Sequence, residues 1–182
     1  MILVVDMNWK RDSLGYFEFV LPILEIAQEL DECVVKHYRE VTSKDLAYCS
    51  KIILSGTALK DNVTLNEPEN FSWLKSVDKP VLGICAGMQT IGVVFGLLLT
   101  MCLEVGMTPT TTLSENPLFS DAFKVYSLHN YSVESSLEFE VLAESARCLQ
   151  AIKHKQKPIY GLLFHPEVRN EEIVKRFVKL LQ

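Results

Sequence analysis

The chain has no CxxC pair, no paired-histidine motif, no run of basic residues and no uninterrupted apolar stretch long enough to cross a bilayer. Each absence narrows the function. The five cysteines, Cys33, Cys49, Cys85, Cys102 and Cys148, are odd in number and widely spaced. Neither a zinc ribbon nor a thioredoxin-like redox motif is therefore expected, and reduced thiols in the cytoplasm are the simplest reading. The four histidines are scattered, with no HxxE or HxH spacing, so neither a metal nor a cofactor is expected. Lys and Arg total 18 against 23 Asp and Glu, a net charge of -5, which argues against nucleic acid as a partner. The apolar stretch from Ile91 to Val105 is broken by Gly92, Gly96 and Thr100 and carries Glu104, so no membrane association is expected. The opening Met1 to Asp6 lacks the basic region and cleavage site of a signal peptide.

What is present suffices for a core. Of 182 residues, 48% are hydrophobic, and a chain of this length buries enough of them to fold as one domain, residues 1–182, without disulfides. Ile2 to Val5, Cys33 to Tyr38, Lys51 to Ser55 and Val81 to Cys85 read as short buried strands. Between them, Leu21 to Leu30 and Phe71 to Val77 have helical spacing. The second half is richer in strands, at Ala122 to Leu128, Phe139 to Leu142 and Ile159 to Phe164. A last helix, Glu171 to Leu181, gathers Ile173, Val174, Phe177, Leu180 and Leu181 on one face. This alternation predicts a three-layer α/β fold, flavodoxin-like, with an open, mainly parallel sheet, helices on both faces and a smaller antiparallel part in the second half.

Two segments carry chemistry. Val81 to Gln89 has the form strand, G-x-C-x-G, helix, centred on Cys85. A sharp strand-to-helix turn crowds the backbone, which flanking glycines relieve. It holds the sulfur at the carboxyl end of the sheet, where the next helix offers free amides and a positive dipole end to negative charge. Alone, the motif fits a buried cysteine at a tight turn equally well. The other four cysteines lack glycine flanks and read as packing residues. The second segment is His165-Pro166-Glu167, at the end of a strand. Residues i and i+2 of an extended chain point the same way, so the carboxylate can face the imidazole as the orienting member of a triad. Alone, this too fits an ordinary loop.

Together and in order, three blocks resemble the class I, triad-type glutamine amidotransferases: Ile52 to Gly56, Gly83 to Gln89, and Phe164 to Glu167. The resemblance covers nearly the whole chain. It implies hydrolysis of L-glutamine to glutamate and ammonia, with Cys85 as nucleophile, His165 as acid and base, and Glu167 as orienter. It also implies backbone N–H groups of Gly56 and Ala86 as the oxyanion hole, and substrate contacts from Gln89, Leu128 and His129. The ammonia would pass to a separate synthase subunit. The run FHPEV at 164–168 resembles GMP synthase glutaminase subunits, whereas Met88 and the His129-Asn130-Tyr131 block also resemble those of imidazole-glycerol-phosphate synthase. The rival readings are a stand-alone γ-glutamyl hydrolase or peptidase, and a degenerate regulatory subunit.

The family pattern is not followed throughout. Thr57 stands where a second glycine is usual, and a β-branched residue resists positive φ, so an altered loop or an incomplete oxyanion hole is expected. Leu97 follows Gly96 where a second glycine is also usual. The apolar Leu97 to Leu103 is expected to pack in the core, with a partner-facing patch as the alternative. His37 and His154 are expected at the surface or at strand edges.

Overall fold

The computed structural model describes residues 1–180. Nine strands form one mixed sheet in the order β2-β1-β3-β4-β9-β8-β7-β5-β6. The first half is parallel and comprises β1 (Ile2–Asp6), β2 (Cys33–His37), β3 (Lys51–Leu54), β4 (Val81–Ile84) and β9 (Ile159–Leu162). The second half is antiparallel, built from β5 (Leu99–Thr112), β6 (Ala122–Val133), β7 (Phe139–Glu144) and β8 (Leu149–His154). The helices are α1 (Leu21–Gln28), α2 (Ser43–Tyr48), α3 (Ala86–Val94) and α4 (Glu172–Lys179).

Period-two alternation along buried strands divides the core between the two faces of the sheet. Ile2 and Val4 of β1, Ile53 of β3 and Leu82 of β4 pack with Ile23, Ile26 and Ala27 of α1 and with Ile173, Val174 and Phe177 of α4. Their neighbours Leu3, Val5, Ile52, Leu54 and Val81 turn to the other face, against Met88 and Ile91 of α3 and Phe71 and Leu74 of a 3₁₀ segment, Pro68–Lys75. The expected helix near Phe71 is that 3₁₀ segment. Leu181, expected on the apolar face of α4, lies outside the described residues.

Among the strands and α-helices, three are not anticipated from the sequence. Strand β8 is one. The short α2 is another, set by a capping box: the Thr42 Oγ1 accepts from the Asp45 N–H at 3.3 Å, and the Asp45 carboxylate accepts from the Thr42 N–H at 2.9 Å. The third is strand β5, which is 14 residues long and begins inside the apolar stretch expected in the core. That expectation is corrected: Leu97 is buried, but Leu98, Met101, Leu103, Val105 and Met107 are exposed, while Cys102 and Glu104 point inward. Apolar side chains line the outer face of this strand, and a thiol and a carboxylate line the inner one.

Helix α3 ends on Gly96 at φ +80°, with Gly96 N–H donating to the Val93 carbonyl at 3.0 Å and Leu97 N–H to the Gly92 carbonyl at 2.9 Å. This is a Schellman cap, which needs one residue of positive φ, so leucine serves at 97. The histidine expectation is corrected for exposure, although His37 does close the edge strand β2. His37 is buried, its Nε2 2.8 Å from the Asn8 carbonyl. His154 is buried with its ring 5.0 Å from those of Phe95 and Phe139.

Candidate active site

Strands β3, β4 and β9 lie side by side and run parallel, so whatever follows their carboxyl ends meets in space. Gly56 follows β3, Cys85 follows β4, and His165 and Glu167 follow β9. Residues separated by up to 111 positions in the chain are thereby gathered at one edge of the parallel half.

Cys85 has φ 49° and ψ −102°, a conformation that an L-residue adopts only under strain of order 1–3 kcal/mol. The neighbours hold it there. Its N–H donates to the Leu162 carbonyl at 2.7 Å, extending the β4–β9 ladder, and its carbonyl accepts from the Gln89 N–H at 3.0 Å, starting α3. Both flanking glycines are required by close approach. A Cβ on Gly83 would stand 2.6 Å from the Gly87 carbonyl carbon, and one on Gly87 would stand 2.7 Å from the Leu54 oxygen. The thiol is 4% exposed and points to the Leu128 carbonyl at 3.5 Å.

The His165 ring is buried. Its Nδ1 lies 2.7 Å from Oε1 of Glu167, and its backbone N–H donates to the Tyr126 carbonyl at 2.9 Å. Nε2 makes no hydrogen bond among the described residues, but the sulfur of Cys85 is close enough to act on its charge. Burial pulls the imidazole pKa down. The Cys85 and Glu167 charges, and side-chain contacts with both groups, outweigh that and hold it well above the ordinary value. The arrangement thus favours an imidazolium between a sulfur and a carboxylate. Phe19, on a π-helical turn (Tyr16–Val20), covers the ring at 5.4 Å between centroids. Sequence reasoning misses it, and the apolar run Phe17, Phe19, Val20 ahead of α1 is its only signal.

Gly56 touches both partners: a Cβ there would stand 2.6 Å from Cε1 of His165 and 3.6 Å from Cβ of Cys85. Ala86 is the first residue of α3, so its N–H has no intrahelical acceptor. Thr57 does not distort this loop. Neither Gly56 nor Thr57 has positive φ, and the Thr57 hydroxyl donates to the Asp61 carbonyl at 2.9 Å. The glycine at 56 is needed for room beside the imidazole, a requirement that does not extend to 57.

Gln89 is one turn along α3 from Cys85, and its Nε2 donates to the Tyr131 carbonyl at 2.8 Å. It borders a cavity with Cys85, Leu128, His129 and the loop Thr57 to Asn62. The His129 side chain turns into the sheet interior, toward Glu104. The cavity measures about 10 Å³, room for the centre of one water-sized sphere. The loop over it is fastened: Asp61 Oδ2 accepts from the Trp9 N–H at 2.8 Å, and Asp61 N–H donates to the Ala58 carbonyl at 2.8 Å. Sequence reasoning has no signal for this latch, because it joins segments 52 residues apart.

A family model described as glutamine amidotransferase class-I matches residues 22–180. A glutamine-hydrolyzing GMP synthase subunit of Methanosphaera stadtmanae is 40% identical over 119 residues, which are 59% of this chain and 63% of that protein. The subunit of the same name from Pyrococcus abyssi is 35% identical over 144 residues, 72% of this chain and 75% of that one. The chain thus spans less than two thirds of the first relative and three quarters of the second. A solved structure from Thermoplasma acidophilum superposes with a TM-score of 0.82 at 23% identity, covering 98% of this chain and 92% of the other, a likeness of fold. With the matched family model spanning all but the first strand and the ends of the chain, the protein belongs to the class-I glutamine amidotransferase family.

Proposed function

We propose that the chain is a glutaminase subunit that hydrolyses L-glutamine and hands the ammonia to a separate synthetase. The observation that carries this reading is the meeting of a strained, buried Cys85 with a buried His165–Glu167 pair at the ends of adjacent strands. The sulfur of Cys85 adds to the side-chain amide carbon of glutamine. The carbonyl oxygen takes the negative charge, facing the N–H groups of Gly56 and Ala86. His165 gives its proton to the departing nitrogen as the C–N bond breaks, releasing ammonia and leaving a glutamyl thioester. The neutral imidazole then takes a proton from water, whose oxygen attacks the thioester. Glutamate departs and the sulfur is regenerated. Glu167 holds the imidazole by Nδ1 so that Nε2 faces the sulfur. Gln89 and the backbone at Leu128 and His129 border the substrate.

The synthetase is GMP synthase-like in this reading, because the relatives that support it are named as GMP synthase subunits. Two features support a gated subunit. The cavity at Cys85 is too small for glutamine until the Thr57 to Asn62 loop moves. Beside it, the outward face of β5 presents Met101, Leu103, Val105 and Met107, and Val105 pairs with Leu128 of the cavity wall. A partner seated on this face would sit one strand away from the Leu128 wall of the cavity. Five free cysteines suit a reducing, cytoplasmic setting. Among the described residues, no helix is long and apolar enough to cross a membrane. The intact Cys-His-Glu arrangement speaks against a degenerate subunit. The test is ammonia release from glutamine by the chain alone and on titration with an ATP-using GMP synthetase and its substrates. Stimulated release supports the reading. A preference for γ-glutamyl peptides over glutamine rejects it.

A further inference from the structure

The antiparallel half of the sheet holds a group of side chains that glutamine hydrolysis does not use. Cys102 and Glu104 point inward from β5, His129 points inward from β6, and Cys148 stands just ahead of β8. The ligand atoms of Cys102, Glu104 and Cys148 all lie within 4.8 Å of one another. Nε2 of His129 is 3.2 Å from Oε2 of Glu104, and Sγ of Cys148 is 3.6 Å from the same oxygen. Tetrahedral zinc with bonds of about 2.0–2.3 Å has ligand–ligand edges of roughly 3.3–3.8 Å. The His129–Glu104 and Cys148–Glu104 separations lie near that range, whereas the imidazole stands outside the 4.8 Å group and has to close toward the sulfurs for all four to hold one ion.

The imidazole is turned for ligation. Nδ1 of His129 lies 3.0 Å from the Cys102 carbonyl, which can only accept, so Nδ1 carries the proton. In the neutral ring Nε2 is then a lone pair. Among the described residues it has no hydrogen-bond partner, although the side chain is 0% exposed. It faces a carboxylate oxygen, a second set of lone pairs. That carboxylate is itself held by donors, Ser145 Oγ at 2.9 Å and Gln150 Nε2 at 2.7 Å. A ring N–H fixed on a backbone carbonyl and a carboxylate fixed by neighbouring donors are the outer contacts that orient metal ligands. Two sulfurs, one imidazole and one carboxylate form a donor set suited to zinc.

We propose that Cys102, Glu104, His129 and Cys148 form a structural zinc site. Four protein ligands fill a tetrahedron, so the ion tethers strands and does no hydrolysis. Cys148 is only partly buried and borders a surface cleft with Ser145, Arg147 and Leu149, which gives the ion a way in. The ion would join β5, β6 and the turn before β8. Leu128, whose carbonyl receives the Cys85 thiol, precedes ligand His129, so the site stiffens one wall of the glutamine cavity.

The test uses the reduced full-length chain, stripped with a chelator and titrated with Co²⁺ as a spectroscopic probe. One equivalent should give tetrahedral visible bands and a sulfur-to-cobalt charge-transfer band, and Zn²⁺ should displace it. C85S should keep the bands. C148S and H129Q should weaken Co²⁺ binding by more than the roughly 10- to 100-fold that loss of an outer contact causes. X-ray absorption of the zinc-loaded wild type should show two sulfur and two nitrogen or oxygen neighbours, a readout that holds even if a variant fails to fold. Absence of a sulfur-to-cobalt band would overturn the proposal. So would a band lost in C85S but kept in C148S, or a Cys102–Cys148 disulfide trapped in chain isolated with its thiols blocked.

Discussion

Oε1 of Glu167 holds Nδ1 of His165 at 2.7 Å, and Oε2 has no partner among the described residues. The carboxylate is therefore committed to the imidazole. E167Q keeps the volume and removes the charge. Turnover should fall on the order of 10- to 10⁴-fold with folding intact, as for loss of the third member of a triad. The pH profile should move as well. The folded pKa of His165 stands above its ordinary 6.5, so the stabilisation is fully present below about that pH and is lost as pH rises through the folded value. The proton delivered to departing ammonia is held over the same range. The alkaline limb of ammonia release should thus lie above 6.5 in the wild type and shift toward acid in E167Q. An unmoved limb with unchanged turnover would remove Glu167 from the mechanism. G56A tests the neighbouring contact. Its Cβ would stand 2.6 Å from Cε1 of His165, and displacing the ring by about an ångström should cost roughly 100-fold in kcat. Cys85, His165 and Glu167 are legible in the sequence because each lies in a short local pattern whose chemistry is recognisable. Phe19 and the Cys102, Glu104, His129, Cys148 group are not, because their neighbours come from distant strands and no spacing along the chain records them.

The elements divide along the same line. The parallel strands are legible because burial on both faces makes them continuous apolar runs, as in Ile2 to Val5 and Lys51 to Leu54. Strand β5 is not, because its apolar residues face outward and merge in sequence with the end of α3. The Schellman cap marks the true boundary. In G96A the φ of +80° would be strained, with no steric contact within 4 Å to add to it. The expected cost is about 1 kcal/mol, or roughly 2–4 °C in the midpoint of thermal unfolding. No change would mean the cap is not formed in solution. The loop from Thr57 to Asn62 makes the opposite prediction, a gain of activity. D61A removes the acceptor of the Trp9 N–H, a bond worth about 1 kcal/mol. Basal glutaminase activity should rise about fivefold, with most of the change in KM. A fall in activity would show that the latch supports the site and does not close it.

At the scale of the molecule, the sheet brings the candidate site and the proposed gating loop together. The parallel half delivers Gly56, Cys85 and His165 to one edge, and the antiparallel half supplies Leu128 and His129 as the facing wall. The three-layer plan is legible from alternation alone. The reach of the antiparallel half is not, since strand pairing such as Val105 with Leu128 is a long-range property. A loop competent for glutamine in about 1% of molecules would allow a partner up to about 100-fold activation, near 2.7 kcal/mol. M101D, at a residue 83% exposed on the outer face of β5, should weaken that activation while leaving ammonia release by the isolated chain unchanged. Equal activation of M101D and wild type would place the partner elsewhere. The central claim, a cysteine nucleophile acting on glutamine, is tested most directly by treating the folded chain with a diazoketone analogue of glutamine and mapping the adduct by peptide mass spectrometry. The account predicts an adduct on Cys85 alone, protection by glutamine, and loss of ammonia release in proportion to labelling. An adduct on Cys49, Cys102 or Cys148 with Cys85 untouched, or ammonia release that survives C85A, would contradict it.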